Sequence, residues 1–278
     1  MNYLKEVFQS RELLANLTLR EIRGQYKRTV FGQLWSLANP LAAMVVYTFV
    51  FALIFRAKPD VGDPSGLDVF ALWLLCGLLP WTFFANVVNT GMGSLLVNAG
   101  LVQKVYFTRI VLPVSAVGSI GFNWLFEMAV LLIALSIAGA FVLPWIPMML
   151  VTMVLLAIFA TGVALMLAVA NVHFRDTQYF MGILLQIWMY LTPIVYPINL
   201  IIERSNEVGG LFGSNIQIVQ LYRINPMERF VEVFRSLLYD NRWPELNDFA
   251  YCVIWAFVSL VIGVIIFRRN EKGLAEAL

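Results

Sequence analysis

Charge is scarce in this sequence. Charged residues make up 13% of the 278 and apolar residues 60%, against about 25% and 45–50% in a soluble domain. That shortage excludes a chain solvated mainly by water. Histidine is scarcer still: His173 is the only one, which leaves no material for a histidine metal centre or a histidine-based catalytic triad. Cys76 and Cys252 are the only cysteines, and both lie in apolar runs. A disulfide framework and a cysteine metal site are therefore not expected. No glycine-rich loop ends in Gly-Lys-Ser/Thr, so the chain cannot draw on nucleotide through such a site. No period of 20–50 residues points to a solenoid, and Met1–Ser10 is too polar for a removable signal peptide. Acids inside apolar runs are missing too, with the single exception of Glu127.

What is present is a set of long apolar runs. A crossing of the hydrocarbon core needs about 20 apolar residues. Six runs reach or approach that length: Leu37–Phe55, Val69–Val88, Val111–Leu135, Pro147–Ala170, Met181–Ile201 and Phe249–Phe267. The expected fold is an all-α integral membrane protein, a single transmembrane domain over Met1–Leu278. Pro80 and Pro193 fall inside runs, which membrane helices tolerate when neighbours satisfy the freed backbone groups.

Met1–Arg28 has the spacing of an amphipathic helix. Leu4, Val7, Phe8, Leu14, Leu17, Ile22 and Tyr26 fall near one face and Lys5, Glu12, Arg20, Arg23 and Lys27 near the other. This pattern suits a helix in the headgroup layer; a short soluble helix packed on a partner is the other reading. The segment runs straight into the first span through Thr18–Pro40. Orientation follows from lysine and arginine. Most of them lie in Met1–Ser36, Asn89–Ile110, Asn171–Phe180 and Arg268–Leu278, while most acids lie in the opposite segments. Both termini are therefore expected in the cytoplasm.

Two connections are too long for plain turns. Asn89–Ile110 is internal, and its stretch Asn98–Arg109 ends in Lys104, Tyr106, Phe107 and Arg109. An aromatic and basic tip suits a short helix docked into a partner; an ordinary loop is the alternative. The other connection, Pro197–Asp248, is external. Asn225-Pro226 precedes an apolar face made by Phe230, Val233, Phe234, Leu237 and Leu238. The spacing predicts short helices over Ile202–Glu245 that dip back toward the membrane, buried in protein or lining a watery cavity.

Glu127 is a functional-site candidate because an intramembrane carboxylate is expensive. A polar contact in a transport path, a proton carrier, and a structural carboxyl paired to Asn123 or a neighbouring helix all stand open. Tyr47, Phe51, Trp188, Tyr190 and Tyr196 are candidates to line a path for a sugar chain, since aromatic faces join apolar area to a polar edge. Packing and interface anchoring explain the same residues equally simply. The basic residues hug span ends, where anionic lipid accounts for them, so no nucleic-acid partner is expected.

Four stretches together resemble a family. RGQYKRTVFGQLWSLANP, NAGLVQKVYFTRIVLP, NVHFRDTQYFMGILLQIWMYLTPIVYP and NPMERFVEVFRSLLY are similar, in order, to segments of the permease subunits of polysaccharide-exporting ABC transporters, whose cargoes include O-antigen, capsule and teichoic acid. Thr108 stands where that family often has proline. The resemblance implies six spans, an amphipathic amino-terminal helix, a coupling helix over 98–109 and external re-entrant helices. It implies no bond-breaking chemistry and no cofactor in this chain, with ATP and magnesium bound by a separate subunit. It implies a second copy of the chain and two nucleotide-binding subunits as partners, in a bacterial inner or plasma membrane. Lys104, Tyr106, Phe107 and Arg109 would then touch the ATPase. Arg23, Tyr26, Lys27 and Arg28 would meet either lipid headgroups or the pyrophosphate of an undecaprenyl-linked glycan. An ABC exporter of a drug or small lipid, and an ion-coupled carrier using Glu127, remain the rival readings at this point.

Overall fold

The computed structural model describes residues 10–25, 27, 29–54, 61–105, 107–208 and 218–278, and among them every regular element is helical. Helix α1 covers Arg11–Gln25. A tight turn at Gly32–Leu34 leads into α2, Trp35–Tyr47, which continues as a π-helical stretch Thr48–Ile54. Gly32 opens that turn at φ +51, a left-handed conformation that side chains with a Cβ rarely adopt. The long helices follow: α3, Phe70–Val97; α5, Val111–Ile137; α6, Ile146–His173; and α11, Leu246–Asn270. Between them lie α4, Ala99–Lys104; α7, Thr177–Tyr190; α8, Ile198–Val208; α9, Ile218–Ile224; and α10, Pro226–Arg235. A π-helical turn, Ser236–Asp240, extends α10. Helix α12, Leu274–Ala277, closes the chain.

Among the described residues, five helical stretches are long and apolar enough to cross a membrane: Gly32–Ile54, Phe70–Val97, Val111–Ile137, Leu143–His173 and Leu246–Asn270. They match five of the six expected runs. Helix α3 runs nine residues past the expected Val88, through Gly91 and Gly93. Those glycines were expected in a loop. A Cβ on Gly91 would lie 2.8 Å from the Ala164 Cβ, so this glycine lets α3 and α6 approach closely. The tightest contact joins α6 to α11. A Cβ on Gly162 would sit 2.3 Å from the Ser259 carbonyl carbon, and one on Gly263 2.4 Å from the Gly162 oxygen. Small residues at such a crossing let backbones touch where lipid supplies no hydrophobic push.

The sixth expected span, Met181–Ile201, is not one helix. Helix α7 ends at Tyr190 and the chain is irregular until α8 begins at Ile198. Its 14 residues reach only about 21 Å, short of a hydrocarbon core of about 30 Å. Pro193 lacks an N–H and disfavours the helical conformation at Thr192. Freed backbone groups at the break find partners on distant elements. The Arg235 guanidinium donates to the Pro193 and Ile194 carbonyls at 2.7 and 2.8 Å. Asn225 donates to the Thr192 hydroxyl at 2.9 Å and accepts from the Trp188 indole at 2.7 Å.

Helix α10 supplies those partners because its sequence fixes it firmly. The Asn225 side chain accepts from the Met227 N–H at 3.0 Å, and Pro226 occupies the first turn, a helix start with both a cap and a preset φ. Glu228 in the first turn and Arg235 in the last complement the helix dipole. Asn241 at φ 61 ends the π-helical extension. Phe230, Val233, Phe234, Leu237 and Leu238, the face expected from sequence, are all fully buried.

Two cores result. The larger gathers α3, the middle of α5 and α6, and α10, with aromatic stacks at its centre: Phe84–Phe159 at 5.4 Å, Phe159–Phe230 at 5.7 Å and Phe83–Trp124 at 4.0 Å. The smaller is aliphatic. It joins Leu17 of α1, Leu95, Val102 of α4, Leu112, Leu165, Phe267 and Leu274 of α12. The molecule therefore has an α10 pole and an α4 pole.

Candidate functional site

At the α4 pole the chain turns sharply after a short helix. The coupling helix expected over 98–109 is helical only from Ala99 to Lys104, and Val105 is already extended. A glycine at 100 and an extended residue at 105 explain the brevity. Lys104 is exposed; Phe107 is half-buried against the aliphatic core; Tyr106 lies outside the described residues. Within the chain, the Arg109 backbone N–H donates to the Glu271 carboxylate at 2.8 Å, and its guanidinium donates to the Glu271 carbonyl. The carboxyl-terminal segment thus braces the elbow. Sequence reasoning missed Glu271 because 162 residues separate it from Arg109.

The amino-terminal basic group is only partly described. Arg23 and Lys27 are exposed, and Tyr26 and Arg28 lie outside the described residues. Helix α1 packs along the first half of α5 with part of its polar side. The Ser115 and Ser119 hydroxyls donate to the Glu21 carboxylate at 3.2 and 3.0 Å. Asn123 donates to Gln25 at 2.7 Å, and Arg20 donates to Asn98 at 3.0 Å. A Cβ on Gly118 would meet Thr18 at 3.0 Å.

The expected path residues separate into two places. Tyr47, Phe51, Trp188, Tyr190 and Tyr196 collect around the end of α2, the end of α7 and the break after it. Tyr47 and Phe51 rings lie 6.3 Å apart, and the Tyr190 side chain interacts with Tyr47. The Tyr196 hydroxyl donates to the Tyr190 carbonyl at 2.5 Å and lies 3.3 Å from the Tyr222 hydroxyl. Trp188 meets Phe84 and Trp81 edge-on at 5.2 and 6.1 Å. An apolar cavity of about 480 Å³ opens beside it, lined by Leu221, Tyr222, Asn225 and Trp255.

Glu127 belongs elsewhere. It lines a polar cavity of about 280 Å³ between α2, α3 and α5, with Ser36, Asn39, Asn86, Asn123 and Trp124. The Ser36 side chain stands beside the Glu127 carboxyl, and the Asn123 amide turns away to Gln25. Three asparagines inside apolar runs were the available sequence signal for this cavity, since each is costly there.

The α10 pole carries a charged cluster. Arg229 lies 3.2 Å from Glu228, pairs with Asp248, and stands 5.9 Å from the Tyr251 ring centre. Burial pushes Glu228 up to about 7 against the opposing pull of Arg229. A second cavity, of about 330 Å³, is lined by Trp73, Glu232, Arg235, Asp240 and Arg242. Burial raises the Glu232 and Asp240 carboxyls, and Arg235 and Arg242 respectively oppose that rise. Arg235 stacks over Trp73 at 3.6 Å. Among the described residues no three His, Cys, Asp or Glu side chains are grouped for a metal ion.

Comparison with known proteins follows this architecture from end to end. The chain is 28% identical over 271 residues to the O-antigen export system permease protein RfbA of Klebsiella pneumoniae, a match covering 96% of this chain and 95% of that protein. It is 26% identical over 275 residues to a protein of the same name from Myxococcus xanthus, covering 99% and 98%. Against the polysialic acid transport protein KpsM of Escherichia coli the identity is 25% over 267 residues, covering 93% of each. Residues 12–239 match the model of the ABC-2 type transporter membrane family, a reach that takes in everything from α1 to the π-helical turn after α10, and the chain belongs to that family.

Proposed function

We propose that this chain is the membrane subunit of an ATP-driven exporter of polysaccharide of the O-antigen or capsule kind. The observation that carries the proposal is similarity over nearly the whole length to permeases named for exporting such glycans. Family membership over residues 12–239 favours this reading over an ion-coupled carrier built on Glu127. The cargo is a glycan carried on undecaprenyl pyrophosphate, and a teichoic acid is one member of that class. Two copies form the conduit, with α7 and the π-helical continuation of α2 facing each other: Phe49 and Leu53 on that continuation and Ile183 and Ile187 on α7 are exposed apolar residues that a second copy would cover.

The α4 pole faces the cytoplasm, with both termini there, since Lys104, Arg268, Arg269 and Lys272 gather at that end. Helix α7, its irregular continuation and the start of α8 make a sixth crossing. Pro197 and Ile198 beside Asp63 and Arg242 support that path. Helix α10 is re-entrant: its Phe230 and Phe234 rings touch Phe159 and Trp124 near the middle of α6 and α5, and its polar groups are satisfied inside protein. Helix α1 lies at the cytoplasmic headgroup layer, where Arg23 and Lys27 meet lipid or pyrophosphate. ATP is hydrolysed in separate nucleotide-binding subunits, whose closure pushes on Ala99–Arg109.

Two measurements test this. Depletion of the chain in its host is expected to accumulate undecaprenyl-linked glycan on the cytoplasmic side; no accumulation rejects the cargo. In proteoliposomes with the ATPase, Tyr106→Ala with Phe107→Ala is expected to keep hydrolysis and lose export. Export at the unaltered rate rejects the coupling role.

A further inference from the structure

We propose that the cavity between α2, α3 and α5 holds an uncharged, hydroxyl-bearing sugar unit of the carried glycan, bound through Asn123, Trp124 and Glu127; this rests on the export reading above. The chemistry of the cavity selects that class of ligand. Asn39, Asn86 and Asn123 come from three different apolar helices and meet at one space. Polar side chains in such helices are costly unless something polar fills the space between them.

Three buried atoms there have no hydrogen-bond partner in the protein: the Trp124 indole N–H, the Asn123 side-chain oxygen and the Ser36 hydroxyl. The first is a donor, the second an acceptor and the third can be either. A hydroxyl group satisfies both kinds at once, because it donates one hydrogen and offers two lone pairs. A phosphate cannot: it would find an acceptor at Asn123 and a carboxyl at Glu127. No lysine or arginine lines the cavity among the described residues. A bare cation would suit the oxygens and be turned away by the indole N–H.

Shape points the same way. Trp124 is 3% exposed, and its ring stacks on Phe83 at 4.0 Å and 14°. This gives the cavity a rigid aromatic wall of the kind that takes the C–H face of a sugar ring. The Gln25–Asn123 hydrogen bond of 2.7 Å ties α1 to the rim of the cavity. Displacing α1 frees the Asn123 amide for a ligand.

The test uses the whole exporter, permease with its ATPase subunits, in lipid nanodiscs. Affinity is measured for undecaprenyl-pyrophosphate-linked glycan and, separately, for undecaprenyl pyrophosphate without sugar. Trp124→Phe and Asn123→Leu are each expected to weaken binding of the glycan-bearing lipid about tenfold and to leave the sugarless lipid within about twofold. Trp124→Phe keeps a ring against Phe83, and thermal midpoints recorded alongside show that both variants are folded. Glu127→Gln, which keeps an acceptor but gives up a charge-assisted bond, is expected to weaken glycan binding about threefold and to leave the sugarless lipid unchanged.

Equal weakening for both lipids overturns the proposal in favour of a phosphate or tail contact. No weakening for either means the cavity holds water alone. Sodium-dependent binding that disappears in Glu127→Gln identifies a cation site and also overturns it. A wild-type complex that binds neither lipid brings down the export reading itself, and the subsite with it.

Discussion

At the α10 pole a ten-residue helix is surrounded by aromatic rings, and its terminal arginine, 5% exposed, holds the carbonyls of a broken helix. At the α4 pole the corresponding job is done by a six-residue helix on an aliphatic cluster, with its elbow held by one glutamate from the chain's end. The first arrangement can only stay or unfold, because an arginine stripped of its partners at that depth is a buried charge. The second rests on half-exposed hydrogen bonds and the smaller of the two cores, and such regions open at smaller free-energy cost. The proposed drive from an ATPase needs that asymmetry: a fixed frame at one pole and a yielding one where force would arrive.

Substitutions at the frame should remove folded protein, and substitutions at the yielding pole should spare it. The largest effect is expected from Gly162→Leu, which forces a side chain into the Ser259 backbone. Destabilisation of about 3 kcal/mol or more should appear as loss of monodisperse protein in detergent; normal yield would remove α6–α11 from the frame. Arg235→Met comes next. It leaves the Pro193 and Ile194 carbonyls without donors, at about 1–3 kcal/mol for each buried group, and a thermal midpoint unchanged from wild type would show that the break is held otherwise.

The α4 pole should answer differently. Glu271→Ala removes the acceptor of the Arg109 N–H, at about 1 kcal/mol, so the fold survives. Export per ATP hydrolysed should fall severalfold in proteoliposomes, and a preserved ratio would end the bracing role. Smallest of all, Glu21→Ala deletes both serine bonds between α1 and α5, and because each hydroxyl keeps a carbonyl acceptor on α5 the change is about 0.5 kcal/mol. Spin labels on α1 and α5 should report a broader distance distribution; an unaltered one would make α1 part of the fixed frame.

The sequence reveals long lipid-facing runs well, since hydropathy over about 20 residues has one main cause. It reveals α10 equally well, because Asn225-Pro226 and the apolar face after it are local signals. Its weaknesses are also physical. Met181–Ile201 has the hydropathy of a span, yet its break is made tolerable by Arg235, some 40 positions away. Gly91 and Gly93 suggest a turn, but for Gly91 the deciding fact is the nearness of Ala164. The Asn98–Arg109 stretch shows its tip and hides its brace. Glu127 is conspicuous alone, whereas Asn39, Asn86 and Asn123 acquire meaning only when the spans bring them together.

The tallest helices deserve a last reckoning in ångströms. Helices α3 and α6 have 28 residues each, so each stands about 42 Å tall beside about 30 Å of acyl chain. On both, polar residues crowd one extremity, Asn89, Thr90 and Ser94 on α3 and Asn171 and His173 on α6. The surplus two turns therefore project on that side as a stub above the lipid. The proposed water-soluble motor would then reach Lys104 of α4 without wetting the bilayer or dipping into it.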